Sequence, residues 1–253
     1  MNKISSLKKV AFIPARSGST RIINKNIKCL GEHPLIAYTI VTAVKSNLFD
    51  EVFCFTDDEE YAKIAKYYGA KVPFLRPKEI SSETSPDINW VKWAIESLEN
   101  QEYDFDVFFI LRPTSPFRTT NTLIRAWDSF ISESNIDSLR AVQKSKTHPG
   151  KMWAIQQNRL LPLFPFELNG TPWHSNQNSA LPVFYEQNAS LEISWLKTIK
   201  NSNTISGTNI LPFLTEDLEG FDINTKEDWS LAEYYINNNI LDSNFLDIKP
   251  YKK

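Results

Sequence analysis

The sequence predicts an α/β domain built on a mostly parallel sheet with helices on both faces. Short apolar runs alternate with segments of helical period over about the first 140 residues, and no linker, repeat or low-complexity tract divides the 253-residue chain. A chain of this length buries roughly 75% of its unfolded surface, so one large core needs no staples. The third observation is a break in the pattern. Residues 145–195 are rich in Pro, Asn and aromatics with little helical period, and read as an inserted antiparallel subdomain. The whole, residues 1–253, reads as a single Rossmann-like domain carrying that insertion.

Val10–Ala15 is an apolar run closed by Pro14 and a polar stretch, the mark of a buried strand. His33–Ser46 has apolar residues at helical spacing, with Pro34 suited to a first turn. Glu51–Thr56 is a second strand, and Asp57–Tyr68 a helix whose first-turn acids complement its dipole. Lys71–Leu75 reads as a short third strand and Asp87–Asn100 as a helix. Phe105–Leu111 is the central strand, followed by a proline-bounded turn, the helix Thr119–Ser132 and a strand at Ser138–Val142. The closing segment Phe213–Asn239 holds a strand-like edge at Phe221 and a helix from near Thr225.

Composition narrows the function classes. Net charge is −2 with 42% hydrophobic and 23% charged residues, so no global field draws the chain to nucleic acid or to an anionic membrane. An anionic ligand needs a local basic pocket. Cys29 and Cys54 are too few for a disulfide framework or a cysteine zinc site, and His33, His148 and His174 lack ligand spacing. No apolar run reaches the roughly 18 residues of a membrane span, and the cytoplasm is the expected address.

The chemistry is concentrated in four segments. Pro14-Ala15-Arg16-Ser17-Gly18-Ser19-Thr20-Arg21, with Lys25-Asn26, leaves the carboxyl end of the first strand, where open α/β sheets bind ligands. Gly18 and its small neighbours Ser17 and Ser19 let backbone N–H groups approach phosphate oxygens, and Arg16, Arg21 and Lys25 add positive charge. An ordinary solvated basic loop is the alternative on charge alone. Neither G-x-x-x-x-G-K-[ST] nor G-x-G-x-x-G is present, which disfavours P-loop and dinucleotide enzymes. The second segment is Leu75-Arg76-Pro77 with Glu79 and Ser82-Glu83-Thr84. The third, Leu111 to Arg118 (LRPTSPFR), sets Thr114 and Ser115 between prolines in a rigid loop. In the fourth, Gly220 to Thr225, the extended spacing places Asp222 and Asn224 on one face. Asn224 or Thr225 is equally suited to cap the following helix.

Together these segments resemble the acylneuraminate cytidylyltransferase family, with its A-R-x-G-S-[KR] loop, RPxELxxDT, LQPTSPLR and FDIDxxxDW motifs. The chain has Thr20 where a lysine is common, Glu83 for an aspartate, Arg112 for a glutamine and Asn224 for the second acid. The resemblance implies a Mg²⁺-dependent transfer of CMP from CTP to an acidic sugar, a nonulosonic acid, with release of pyrophosphate. It implies Arg16, Lys25 and Asp222 as catalytic groups. The nucleotide falls to Ala15, Arg16, Ser17, Gly18, Ser19, Arg21, Lys25, Asn26, Arg76, Pro113 and Thr114, and the metal to Asp222 and Asn224. His148 to Trp153 resembles an HPYKMW stretch, and Asn178 to Asn188 loosely matches an RQDLPxVYxxNG region without its Arg-Gln pair. The acceptor set is accordingly Arg112, Ser115, Lys151 and Asn188. A homodimer in which the insertion reaches the partner's site is also implied. A sugar phosphate or other phosphorylated or phosphonate acceptor is the alternative within the enzyme class. A non-catalytic nucleotide-sugar-binding protein is the reading of another class.

Overall fold

The computed structural model describes residues 7–238, 240 and 246–252. The expected helical segment ending at Asn239 therefore runs one position past the continuous described stretch. Two compact units emerge: Met1–Ala141 with Asn188–Lys253, and Val142–Gln187. The inserted segment expected at 145–195 is shorter at its far end, because Leu191 and Ile193 are fully buried in the core of the first unit.

The main sheet contains β1 (Lys9–Pro14), β2 (Glu51–Phe55), β3 (Val107–Ile110), β4 (Ser138–Lys144), β7 (Tyr185–Trp195) and β8 (Ile210–Leu214), in the order β8-β4-β7-β3-β1-β2. β1, next to the edge strand, pairs parallel with both β2 and β3, with Pro14 level with Phe55 and Phe12 level with Ile110. β7 runs antiparallel to β3 and sets Glu192 opposite Ile110. The period of two divides the strands between two cores. Ala11, Ile13, Cys54, Val107 and Phe109 face α1 (Leu35–Lys45), α2 (Glu59–Tyr67), α4 (Thr120–Ser132) and α6 (Lys226–Asn237). Val10, Phe12, Phe53, Phe55, Phe108 and Ile110 face α3 (Asp87–Glu99) and α5 (Leu196–Ser202).

Local chemistry sets the helix starts. Asp58 caps α2 through the N–H groups of Glu60 and Tyr61, and Thr119 closes a reciprocal capping box on α4 with Thr122. The expected strand at Lys71–Leu75 reduces to one parallel bridge between Phe53 and Lys71. Pro73 has no N–H to give a ladder, which stops it there. No strand forms at Phe221 either; that side chain packs between the rings of Phe117 and Tyr235.

The second unit carries an antiparallel hairpin, β5 (Trp153–Gln156) with β6 (Arg159–Pro162), turned by Gln157 and Asn158 at φ 49° and 61°. His148 is structural there. One ring nitrogen accepts from the Gly150 N–H at 2.9 Å and the other lies 3.0 Å from the Pro182 carbonyl. Among the described residues, no helix is long and apolar enough to cross a membrane.

Phe12 is fully buried, with its ring against those of Phe55 (5.0 Å between centroids), Phe108 (5.3 Å) and Phe105 (5.7 Å). Phe12→Ala is expected to cost about 3–5 kcal/mol. A thermal melt followed by circular dichroism should show a fall of roughly 6–20 °C. A shift under 3 °C would mean that the second core does not hold the sheet.

Candidate active site

Three parallel strand ends and one return segment converge on a cleft of about 370 Å³. β1 opens into the loop from Ala15 to Lys25, β2 into Thr56–Asp58, and β3 into the turn from Leu111 to Phe117. The loop is anchored from behind. Ala15 N–H donates to the Phe55 carbonyl (2.9 Å), and both the N–H and hydroxyl of Ser17 donate to Asp57 (2.7 and 2.9 Å). Asn26 donates its amide to the Arg16 carbonyl at 3.1 Å. Ala15 is wholly buried and Ser17 faces Asp57, so these two of the expected nucleotide contacts support the loop from behind. Gly18 is exposed, with no atom within 4 Å of where a Cβ would sit.

Of the residues singled out in the sequence, Arg16, Ser19, Arg21, Lys25, Asn26, Arg76, Arg112, Pro113, Thr114, Asp222 and Asn224 line the cleft. Ser115 and Asn188 do not, and both are corrections. Ser115 is fully buried with its hydroxyl unpartnered, because the turn points it inward. Asn188 donates to the Thr215 hydroxyl (2.9 Å) and accepts from Ser190 N–H (3.1 Å), bracing β7. Lys151 belongs to the second unit, where its ammonium donates to the Asn176 carbonyl at 2.7 Å.

The fourth segment is tied directly to the others. Ile223 N–H donates to the Thr114 carbonyl at 2.8 Å, and the Ile223 carbonyl accepts from the Lys25 ammonium at 2.8 Å. Thr225, not Asn224, caps α6, in a capping box with Asp228. Asn224 is thus left to turn its amide onto one oxygen of Asp222, whose other oxygen is buried without any partner. An orphaned carboxylate oxygen costs free energy unless a donor or a cation meets it. One carboxylate plus a neutral amide oxygen suits Mg²⁺, which takes the rest of its shell from phosphates and water.

Charge in the cleft is strongly coupled. It is lined by Arg16, Arg21, Lys25, Arg76 and Arg112 against the acids Glu83, Asp87 and Asp222. Burial pulls the Lys25 ammonium below the ordinary lysine value; Asp222 offsets this, while Arg21 and Arg16 add to it. Burial likewise lowers the Arg76 guanidinium to about 10, against Asp87 and Asp57. It lies 5.6 Å from the Trp90 ring centroid and donates to the Ile80 carbonyl.

Arg112 is held at both ends, by Glu192 and by Asp87, each at 2.5 Å. The second oxygen of Glu192 meets Arg140 at 3.0 Å. The half-exposed Asp87 arm is worth about 0–1 kcal/mol. Removing one partner of the buried Glu192 arm costs about 3–5 kcal/mol. Asp57, Asp87, Trp90 and Glu192 escaped the sequence reading. Asp57 had a signal, an acid just past a strand end. Glu192 had none, since a lone acid in an apolar run does not reveal which strand lies beside it.

Asp57 acts through Ser17, so Asp57→Ala should weaken triphosphate binding about 10- to 100-fold, roughly the worth of one hydrogen bond to a charged group. Calorimetric titration of the variant measures this, and unchanged affinity would show that the loop needs no anchor.

The comparisons with known proteins agree with this geometry. Residues 10–128 match the cytidylyltransferase family. The chain is 32% identical to a CMP-N,N'-diacetyllegionaminic acid synthase of Legionella pneumophila subsp. pneumophila over 88% of its own length and 94% of the relative's. It is 40% identical to a pseudaminic acid cytidylyltransferase of Campylobacter jejuni subsp. jejuni over 51% of this chain and 56% of that one. A solved CMP:2-keto-3-deoxy-manno-octonic acid synthetase in complex with CTP shares the fold at 12% identity, with a TM-score of 0.68 over 91% of this chain and 99% of that one. The chain belongs to the acylneuraminate cytidylyltransferases, a family of CTP-dependent nucleotidyltransferases.

Proposed function

We propose that the enzyme transfers CMP from CTP to a nonulosonic acid and releases pyrophosphate, with Mg²⁺ held by Asp222 and Asn224. The observation that carries this reading is the convergence, in one cleft, of the Arg16–Arg21–Lys25 cations with the orphaned oxygen of Asp222. The relatives named for legionaminic and pseudaminic acids support the acceptor class.

An acceptor hydroxyl oxygen bonds to the α-phosphorus as the bond to the bridging oxygen of the β-phosphate breaks; the hydroxyl proton is released to water and pyrophosphate leaves. The protein's work is positioning and charge neutralisation. Arg16 and Arg21 meet phosphate oxygens from the loop. Lys25, fixed by the Ile223 carbonyl, brings its charge to the same side of the cleft as Asp222. Magnesium, when bound, supplies Lewis-acid polarisation of the α-phosphate. Thr114 and Pro113 give the nucleotide a rigid wall, since a turn with prolines on both flanks loses little entropy on binding.

The same reading places the enzyme in the cytoplasm as a homodimer. Supporting the latter, the second unit exposes Ile155 (79%), Leu160 (60%) and Phe166 (50%), an apolar surface that an isolated unit leaves in water. Sedimentation velocity decides this, a monomer at micromolar concentration being the contrary result.

Asp222→Asn should lower magnesium-dependent pyrophosphate release on the order of 10²-fold while CTP still binds. Release at the wild-type rate would remove Asp222 from the metal site. Lys25 gives a pH signature. Phosphate binding needs the charged ammonium, and burial sets its loss below the ordinary 10.5, so the KM for CTP should rise with pH before that value is reached. Lys25→Arg should push this alkaline limb upward. A KM flat to pH 10.5 in the wild type would exclude Lys25 as a phosphate ligand.

A further inference from the structure

We infer that Glu192 is a positioning residue that holds Arg112 in place for the carboxylate of the acceptor, and that Asp87 is the stand-in which that carboxylate displaces. The inference rests on the proposed transfer to an acidic sugar. Its basis is the geometry around one guanidinium. Arg112 spends one terminal nitrogen on Glu192 and the other on Asp87, both at 2.5 Å, and it lines the cleft. The two carboxylates are not equivalent. The Glu192 side chain is 4% exposed and its second oxygen is taken by Arg140 at 3.0 Å. Asp87 is 46% exposed, lies on the cleft wall at the first turn of α3 and is also bonded by the Trp90 indole N–H at 2.8 Å.

The fold explains why the four charges meet. Glu192 lies opposite Ile110 in the antiparallel ladder, two residues before Arg112. Phe108 and Ile110 belong to the α3-side core, so alternation sends Arg112 and Glu192 to the α3 side of the sheet. Asp87 opens that helix. Arg140 reaches the same carboxylate from β4, beside β7 in the sheet.

Four charges of alternating sign, Arg140, Glu192, Arg112 and Asp87, therefore form one chain that ends at the cleft and sums to zero. The inner contacts are held by the burial of Glu192, because parting a buried carboxylate from its guanidinium partners leaves an uncompensated charge. The outer contact is screened by water and exchanges readily. An incoming carboxylate that takes the place of Asp87 keeps Arg112 doubly paired, and its bidentate geometry suits the guanidinium fork.

The test compares wild type, Glu192→Gln and Asp87→Asn in CTP-dependent pyrophosphate release. The acceptors are sialic, legionaminic and pseudaminic acids, each with its C1 methyl ester, which keeps the hydroxyls and removes the charge. Wild type should prefer acid over ester at least ten-fold in kcat/KM. Glu192→Gln should shrink that ratio to under three-fold with the KM for CTP within two-fold of wild type. Asp87→Asn should keep the ratio and lower the acceptor KM at least two-fold, because the competing carboxylate is gone. An unchanged ratio in a CTP-binding Glu192→Gln protein overturns the inference. If that variant fails to bind CTP, Asp87→Asn decides alone, and a raised acceptor KM there overturns it. Wild type that turns over these acids while both variants shift together sinks only this inference. Wild type that releases no pyrophosphate with any of them sinks the proposed transfer, and this inference with it.

Discussion

The cleft depends on three parallel strands ending side by side. Because β1 pairs on one side with β2 and on the other with β3, the loops that follow Pro14, Phe55 and Ile110 leave the sheet at one edge. Parallel pairing needs crossovers, and these bury both faces of the sheet, so the strands are apolar and cannot carry the chemistry themselves. Polar groups are pushed to the strand ends. There Asp57 can hold Ser17, and Arg112 can reach across to the neighbouring strand.

A buried cation locks this arrangement. Arg118 is 2% exposed and donates to the Ser190 carbonyl, to the Thr39 hydroxyl at 2.9 Å and to the Arg112 carbonyl at 3.0 Å. It thereby joins β7, α1 and the proline-bounded turn with one planar group. Among the described residues no carboxylate forms an ion pair with it, and burial disfavours its charge. Neutral acceptors arranged around a guanidinium fix geometry without adding a negative group near a phosphate site. The proline pair in Pro113 and Pro116 limits the turn's freedom, and Arg118 selects which of the remaining conformations is kept.

Legibility in the sequence follows how local each cause is. The strands β1 to β3, helices α1 to α4 and the cation loop were readable, because period, caps and punctuation lie within a few residues of one another. The failures are non-local. Lys71–Leu75 is apolar enough for a strand, but Pro73 and a single neighbour leave it one bridge. The strand β7 hid in a Pro- and Asn-rich context, and with it the identity of Glu192 as partner to Arg112. Ser115 looked like an exposed turn hydroxyl, yet the turn rotates it inward while Thr114 lines the cleft. Asn224 and Thr225 are equal candidates for the α6 cap in the sequence, and only the reciprocal bonds of Thr225 and Asp228 decide between them.

The departures from the family's motifs are then best understood as a redistribution of charge. An arginine in place of a neutral glutamine at position 112 adds a cation to a cleft already crowded with them. Left unpaired, it would compete for the triphosphate. Asp87 and Glu192 cancel it locally, so Arg112 is electrostatically quiet toward the loop while staying available to a ligand that replaces one of its partners. At the other end the second acid has become Asn224, which removes a negative charge beside Asp222. The nucleotide half thus carries less negative charge, and Arg112 has a counter-charge that sits on exchangeable ground. Both changes favour acceptors and triphosphates that bring their own negative charge to the cleft.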